Sequence, residues 1–146
     1  MQEYPNFSVV AEERSYNPAI VAYWQANKQY HDGYTSCLTS MMDFPLKGAL
    51  LEGLTEDEGD HLGMLRIYEM VANDFLYADP YNLVTFGDNH DTDRMATSLE
   101  NNPALIKIAL TFLATMRDIP QIYYGTEIMM KNNIAPKNHQ KIMSLL

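Results

Sequence analysis

Two hydrophobic patterns alternate along the chain, and each predicts a different kind of element. Four short runs are apolar or rich in β-branched residues over the length of one strand. Such runs, each followed by polar residues, predict strands that are buried on both faces. They cover residues 7–11 (FSVVA), 37–45 (CLTSMMDFP, ended by Pro45), 82–86 (NLVTF) and 119–127 (IPQIYYGTE).

Longer segments between these runs carry apolar residues at helical spacing. Residues 18–29 begin with a proline, and residues 102–116 begin with an asparagine followed by a proline, which are both start signals for a helix. Residues 59–78 give the clearest amphipathic pattern. Its predicted buried face consists of Leu62, Leu65, Tyr68, Val71 and Phe75.

The order strand, helix, strand, helix predicts an α/β fold with parallel strands joined by crossovers. Each predicted strand ends in polar or ionisable residues, which are AEER, DFP, DNHD and YYGTE in turn. In parallel α/β architectures the active site lies at this carboxyl edge of the sheet. The alternative is that these residues only cap helices and line solvated loops.

Composition and charge narrow the class of protein. The chain has 146 residues, 47% of them hydrophobic and 20% charged, which is typical of one globular domain. Its net charge of −9 argues against nucleic acid or an anionic membrane as a partner, but not against a neutral sugar. The single cysteine, Cys37, excludes a disulfide within the chain. No signal-peptide pattern follows Met1 and no run has membrane-spanning length, so localisation is left unknown.

The residues at the strand ends favour chemistry by carboxylates. Neither a phosphate-binding glycine loop nor a G-x-S-x-G nucleophile elbow occurs in the sequence. Several carboxylates beside a histidine and an arginine suit glycoside hydrolysis, which needs one acid to protonate the leaving oxygen and a carboxylate near the cationic sugar. The competing use of Asp88, His90, Asp91 and Asp93 is a divalent metal site, although no EF-hand loop follows them.

Residues 86–94, FGDNHDTDR, resemble the F-x-x-N-H-D motif of the α-amylase family, glycoside hydrolase family 13. FSVVAEER resembles the G-E-x-W stretch after the fifth barrel strand of that family, and IPQIYYGTE resembles its eighth-strand segment. SMMDFPL resembles the sixth strand of the neopullulanase and cyclomaltodextrinase branch. The resemblance covers residues 4–130 and implies the C-terminal half, strands five to eight, of a TIM (β/α)8 barrel, followed by a divergent tail over 131–146.

The resemblance also implies two catalytic residues. Glu12 matches the general acid and base, and Asp91 matches the carboxylate that stabilises the transition state. The apolar run before Glu12 would raise the pKa of its carboxyl, as a proton donor requires. Neighbours in a strand point to opposite faces, so either Glu12 or Glu13 faces the site, and the motif favours Glu12.

Four further residues are predicted to bind substrate. By resemblance, His90 hydrogen-bonds sugar hydroxyls, while Asn89 and Arg94 contact or support the substrate. Tyr34, in a predicted loop beside Gly33, is the candidate for an aromatic contact with a sugar ring.

Two departures from the family pattern limit the expected activity. Arg14 stands where the family has tryptophan, and a nearby cation would lower the pKa of Glu12. The G-x-R-x-D stretch that carries the family's nucleophile does not occur in this sequence. The expectation is therefore a fragment of a retaining glycosidase that acts on starch-type α-glucans, namely maltooligosaccharides, pullulan or cyclodextrins, and that is inactive alone.

The alternative function is a catalytically inactive half-barrel that only binds oligosaccharide or pairs with another chain, for example in a homodimer. No metal ligand set and no cofactor is evident in the sequence, although structural calcium is frequent in the family.

Overall fold

Four short parallel strands form the centre of the fold. The computed structural model describes residues 7–57 and 59–132. β1 pairs with β2 and β3 with β4, both in parallel, and a parallel bridge between Met42 and Val84 connects the two pairs. The strands therefore lie side by side in chain order, as the sequence predicts. Their bounds are β1 (Val10–Ala11), β2 (Ser40–Met41), β3 (Val84–Phe86) and β4 (Ile119–Gln121).

Helical segments fill the connections between the strands. The α-helices are α1 (Pro18–Tyr23), α2 (Phe44–Thr55), α3 (Met64–Val71), α4 (Met95–Ser98) and α5 (Pro103–Thr115). Three 3₁₀ segments cover Ala72–Leu76, Pro80–Asn82 and Thr126–Ile128. Within the described part of the chain, no helix is long and apolar enough to cross a membrane.

Helix α2 is missing from the sequence-based prediction, in which Pro45 ends the second strand. In the structure the Oδ1 atom of Asp43 accepts the N–H of Leu46 at 2.9 Å and caps the helix. Pro45 lies in the first turn, where the N–H that it lacks would have no helical partner. Pro45 thus belongs to the start of a helix, and Asp43 has a structural role.

The predicted buried face of residues 59–78 is wrong. Helix α3 begins only at Met64, and Tyr68 and Phe75 are 79% and 77% exposed. Ile67 is the residue of α3 that is buried, because α3 packs on α2 where Gly53 leaves room for the Ile67 side chain. The spacing of apolar residues predicted a helix here, but the position of α2 decides which side of it is covered.

The main core lies between the helices that follow β2 and β3. It brings together side chains from α2, α3, α4 and α5, and it supports the carboxyl edge of the strands from the helix side. Gly87, directly after β3, leaves the space that the Met95 thioether fills, since a Cβ there would lie 2.5 Å from the Met95 sulfur. The buried members are Leu46, Leu50, Leu51, Ile67, Met95, Ala96, Leu99, Ile106, Ala109 and Leu113.

Candidate active site

The segment after β3 passes from the core to the solvent within a few residues. Asp88 and Asn89 are 2% and 3% exposed, whereas the side chains of His90 and Asp91 are 68% and 50% exposed. Because β3 is parallel to its neighbours, this exit lies at the carboxyl edge of the strands. The N-H-D tract therefore has a buried part that anchors it and an exposed part that is available to a ligand.

An ion pair between Arg94 and Asp88 holds the two ends of this segment together. The Arg94 Nε lies 2.8 Å from the Asp88 Oδ2, which also accepts the N–H of Met95 at 2.9 Å. The Arg94 Nη2 donates to the carbonyl of Tyr124 at 2.7 Å, and the guanidinium carbon lies 4.6 Å from the centre of the Tyr123 ring. Arg94 is thus a support that links the ends of β3 and β4, and it is not a lining residue of the cleft described below.

Asn89 shapes the turn that presents His90 and Asp91. Its Oδ1 accepts the N–H of Asp91 at 3.0 Å, and its own N–H donates to the Thr92 hydroxyl at 3.0 Å. The His90 Nε2 lies 3.5 Å from the Asp91 Oδ1. Asn89 therefore orients the segment from within, while His90 and Asp91 point outward.

Asn132 fastens the far side of the same segment. Its Oδ1 accepts the N–H of Arg94 and its Nδ2 donates to the Asp93 Oδ1, both at 2.5 Å. Its own N–H donates to the Thr97 hydroxyl at 3.1 Å. In the described part of the chain Asp93 contacts Asn132 and forms no ion pair with Arg94.

An open cleft of about 660 Å³ lies beside the exposed part of the tract. It collects residues that follow β1, β2 and β3, so three strand ends contribute to one site, as the sequence predicts. Carboxylates and cations lie on the same walls, which is an arrangement that can bind a polar neutral ligand. The lining residues are Arg14, Tyr16, Lys47, His90, Asp91, Thr92, Asp93 and Ser98.

Glu12 lies near this edge but is not among the lining residues of the cleft. It is exposed directly after β1, and Glu13 is half-buried. Of the apolar residues before Glu12, Val10 is 52% exposed, whereas Val9 and Ala11 are half-buried. The choice of Glu12 over Glu13 as the acid stays a prediction.

The structure does not bring Tyr34 into the cleft. Tyr34 lies in the loop between α1 and β2, and this loop leads into the amino end of β2, opposite to the edge that carries Asp91. Its ring stacks on Tyr23 with centroids 5.2 Å apart, and Tyr23 donates its hydroxyl to Asp32 at 2.7 Å. The error arose because a loop that follows a helix in this fold returns to the amino edge.

The residues of the metal alternative lie in different surroundings. Among residues 7–57 and 59–132, no group of three or more His, Cys, Asp or Glu side chains is placed to hold a metal ion. Asp88 is buried against Arg94, while Asp91 and His90 face the cleft.

Lys47 is a residue of the cleft that sequence reasoning did not find. It is only 7% exposed, and it follows Asp43 and Pro45 in the first turns of α2. The signal was present in the sequence, because an aspartate two residues before a proline predicts the start of a helix. A helix starting there would have placed Lys47 beside the strand ends.

Fold and cleft together define an α/β protein of parallel strands with a carboxylate-bearing site at their carboxyl edge. The chain belongs to the α-amylase family, because the family model described as the alpha-amylase catalytic domain matches residues 1–144.

The chain is similar to parts of proteins named as cyclomaltodextrin glucanotransferases and α-amylases. It is 36% identical over 105 residues to a cyclomaltodextrin glucanotransferase of Niallia circulans, covering 72% of this chain and 14% of the relative. The structure is similar to the α-amylase from Geobacillus thermoleovorans complexed with acarbose, with a TM-score of 0.71, 32% identity, and coverage of 92% of this chain and 28% of that one. It also resembles the γ-cyclomaltodextrin glucanotransferase from alkalophilic Bacillus clarkii, with a TM-score of 0.69, 28% identity, and coverage of 93% and 19%.

The chain therefore spans about one seventh of the length of that curated relative. Four parallel strands and a match to part of these enzymes agree with a partial TIM barrel. The relatives named above are an α-amylase and glucanotransferases, so the neopullulanase branch is not confirmed and stays a prediction.

Proposed function

We propose that this chain is the segment with strands five to eight of the catalytic barrel in an enzyme that cleaves α-glucosidic bonds of starch-type α-glucans with retention. The observation that carries the proposal is the cleft in which Asp91 and His90 emerge together at the carboxyl edge of the strands. Family membership and the names of the relatives support the choice of substrate class.

In this proposal Asp91 provides the negative charge that the transition state requires. The sugar at the scissile bond becomes cationic, and a fixed carboxylate lowers its energy most in a site from which water is excluded. His90 has a ring nitrogen 3.5 Å from the Asp91 Oδ1, so both groups can contact hydroxyls of one sugar. Asn89 and Arg94 act by positioning this pair.

Glu12 is assigned the proton transfer. As general acid it protonates the leaving oxygen, and as general base it then activates the water that completes hydrolysis. The nucleophilic carboxylate of the retaining mechanism is assigned to a residue outside the four strands described. Without that carboxylate the chain alone is expected to bind glucan but not to turn it over.

A hybrid barrel tests the proposal. Residues 7–132 of this chain would replace the matching stretch of the α-amylase from Geobacillus thermoleovorans, and starch hydrolysis would be measured. We expect the hybrid to be active. Glu12→Gln removes the proton donor and Asp91→Asn removes the stabilising negative charge, so each variant should lower the activity by about a thousandfold or more.

The matched control for the hybrid is Asp79→Asn, which changes an exposed aspartate in the turn before β3. Its activity should stay close to that of the unaltered hybrid. A hybrid that folds cooperatively but is inactive would contradict the proposal, and so would an Asp91→Asn variant with full activity.

For the chain on its own, we propose pairing between two copies. Val10 on β1 and Ile119 on β4 are 52% and 47% exposed at the two outer strands of the described row. Outer strands with unpaired backbone groups favour pairing with further strands, and two rows of four strands supply the number that a TIM barrel contains. Sedimentation equilibrium should show a dimer, and Val10→Lys should shift it towards the monomer.

A further inference from the structure

Lys47 is a nearly buried cation on the wall of the cleft. It is 7% exposed, and its backbone N–H is used within the first turn of α2, donating to the Asp43 carbonyl at 3.0 Å. Among the described residues, its amine has neither a hydrogen bond nor a carboxylate oxygen within 4.0 Å. A lysine amine that lines a cleft without an acceptor of its own can donate to a ligand that supplies one.

Two carboxylates share the lining of the cleft with Lys47, but neither forms an ion pair with it. Asp91 and Asp93 line the same cleft, and ionised carboxylates only accept hydrogen bonds. Lys47 and Arg14, which also lines the cleft, only donate. The cleft is therefore lined both by groups that only donate and by groups that only accept.

A hydroxyl group suits this mixture of donors and acceptors better than an ion does. It can accept from an ammonium and donate to a carboxylate at the same time. An anionic ligand would be repelled by Asp91 and Asp93, and a cationic ligand by Lys47 and Arg14. The charges of the cleft thus select a neutral molecule with several hydroxyls.

We propose that Lys47 is a positioning residue, which donates a hydrogen bond to a hydroxyl of the neutral sugar that binds against Asp91. This inference rests on the proposed function, because it assumes that a glucan occupies the cleft. It adds a contact from α2 to those from the segment after β3, so the sugar would be held from two strand ends at once.

The ionisation of Lys47 gives the proposal a specific readout. Burial lowers the pKa of its amine. Among the charged groups around it, Asp93, Asp88 and Glu52 oppose this shift, whereas Arg14 adds to it. If binding depends on the charged amine, the affinity should therefore begin to fall at a lower pH than it would with an exposed lysine of ordinary pKa.

Binding of maltoheptaose to the full chain, measured by calorimetry, tests the contact. We expect Lys47→Met to weaken binding by about tenfold or more, because a hydrogen bond from a charged donor is lost. Lys47→Arg should retain binding within about threefold, since it keeps a cationic donor. Lys107→Met, on the exposed side of α5, is the matched control and should bind as the unaltered chain does.

The pH dependence separates a direct contact from a structural role. The unaltered chain should lose affinity towards alkaline pH, whereas Lys47→Arg should not, because a guanidinium stays charged. Equal alkaline loss in both chains would overturn the proposal, even if Lys47→Met failed to fold.

The outcomes also separate this inference from the function on which it rests. Failure of the unaltered chain to bind maltoheptaose would contradict the glucan site itself, and Lys47 would lose its assigned partner with it. Normal binding by the unaltered chain together with unchanged affinity in Lys47→Met would overturn the role of Lys47 alone.

Discussion

Arg94 and Arg117 are both buried arginines held by carboxylates, but they lie in different charge environments. Their side chains are 9% and 8% exposed. Arg94 faces one carboxylate, that of Asp88, at 2.8 Å. Arg117 faces three: it hydrogen-bonds Asp118 and Asp74, and it lies 3.4 Å from the Asp43 Oδ2.

The number of carboxylates decides what each cluster does. Arg94 and Asp88 neutralise each other, so the pair can hold the segment after β3 in place. The Arg117 cluster has an excess of negative charge when all three carboxylates are ionised. Burial raises the pKa of Asp118 to about 7 and also raises the pKa of Asp43, although Arg117 opposes both shifts. The first cluster positions a loop, whereas the second binds a proton.

The largest expected effect comes from removing the cation of the second cluster. Arg117→Leu would leave three carboxylates around a buried site without compensation, and we expect a loss of about 4 kcal/mol in the free energy of unfolding. Urea denaturation monitored by circular dichroism measures it. Arg66→Leu is the control, because Arg66 pairs with Glu56 at a more exposed position and its loss should cost far less stability.

Removing the cation of the first cluster should cost somewhat less, and the loss should be recoverable. Arg94→Met leaves one buried carboxylate unpaired, for an expected loss of about 3 kcal/mol. Adding Asp88→Asn removes that charge and keeps an acceptor for the Met95 N–H, so the double variant should regain most of the stability. If the double variant were no more stable than Arg94→Met alone, Arg94 would not act by neutralising the Asp88 charge.

The proton held by the second cluster predicts an unusual pH dependence. The folded-state pKa of Asp118 is about 7, above its ordinary 3.8, so the folded chain binds more protons than the unfolded chain between these values. The free energy of unfolding should therefore fall as pH rises from about 4 to about 7. We expect this group to contribute about 2 kcal/mol, because coupling to Asp43, whose pKa burial also raises, reduces the full effect of the shift.

Asp118→Asn isolates this contribution. The variant cannot titrate at that position, so the difference in unfolding free energy between it and the unaltered chain should vary over this pH range. Asparagine also tolerates the positive φ of 97° at residue 118. Parallel pH curves for the two chains would show that Asp118 does not hold the proton.

The smallest effect concerns the backbone that Arg94 contacts. Gly125 follows Tyr124, whose carbonyl accepts from Arg94, and it has a φ of 80° with the Met130 sulfur 2.9 Å from the position of an added Cβ. Gly125→Ala should cost about 1 kcal/mol or slightly more, measured as above. Gly33→Ala has a similar φ of 77° and no atom within 4 Å, so it measures the backbone cost alone.

The strands and the site tract could be predicted from sequence because both depend on local pattern. The run before Asp88 is apolar, and the ionisable residues that follow it have the spacing of a known motif. Residues 102–116 carry their own start signal, and the helix α5 begins at Pro103 as predicted.

What could not be predicted depends on partners that are distant in sequence. Arg94 binds the carbonyl of Tyr124, which is 30 positions further along, and Arg117 contacts Asp43 from 74 positions away. The exposure of Tyr68 follows from the position of α2, a helix that the sequence-based prediction lacked. The prediction that Tyr34 contacts the substrate is wrong, because it rests on the residue types of the loop. The loop follows the helix α1 and therefore lies at the amino edge of the strands.

The contacts of Asn132 determine how short a transplantable version of this site can be. Asn132 forms hydrogen bonds with the Arg94 N–H, the Asp93 carboxylate and the Thr97 hydroxyl, and these bonds hold the segment after β3 in place. A recombination joint at residue 130, the boundary that the resemblance predicts, would separate the N-H-D tract from Asn132. Exchange of this segment between barrels should therefore succeed more often when the crossover lies beyond Asn132.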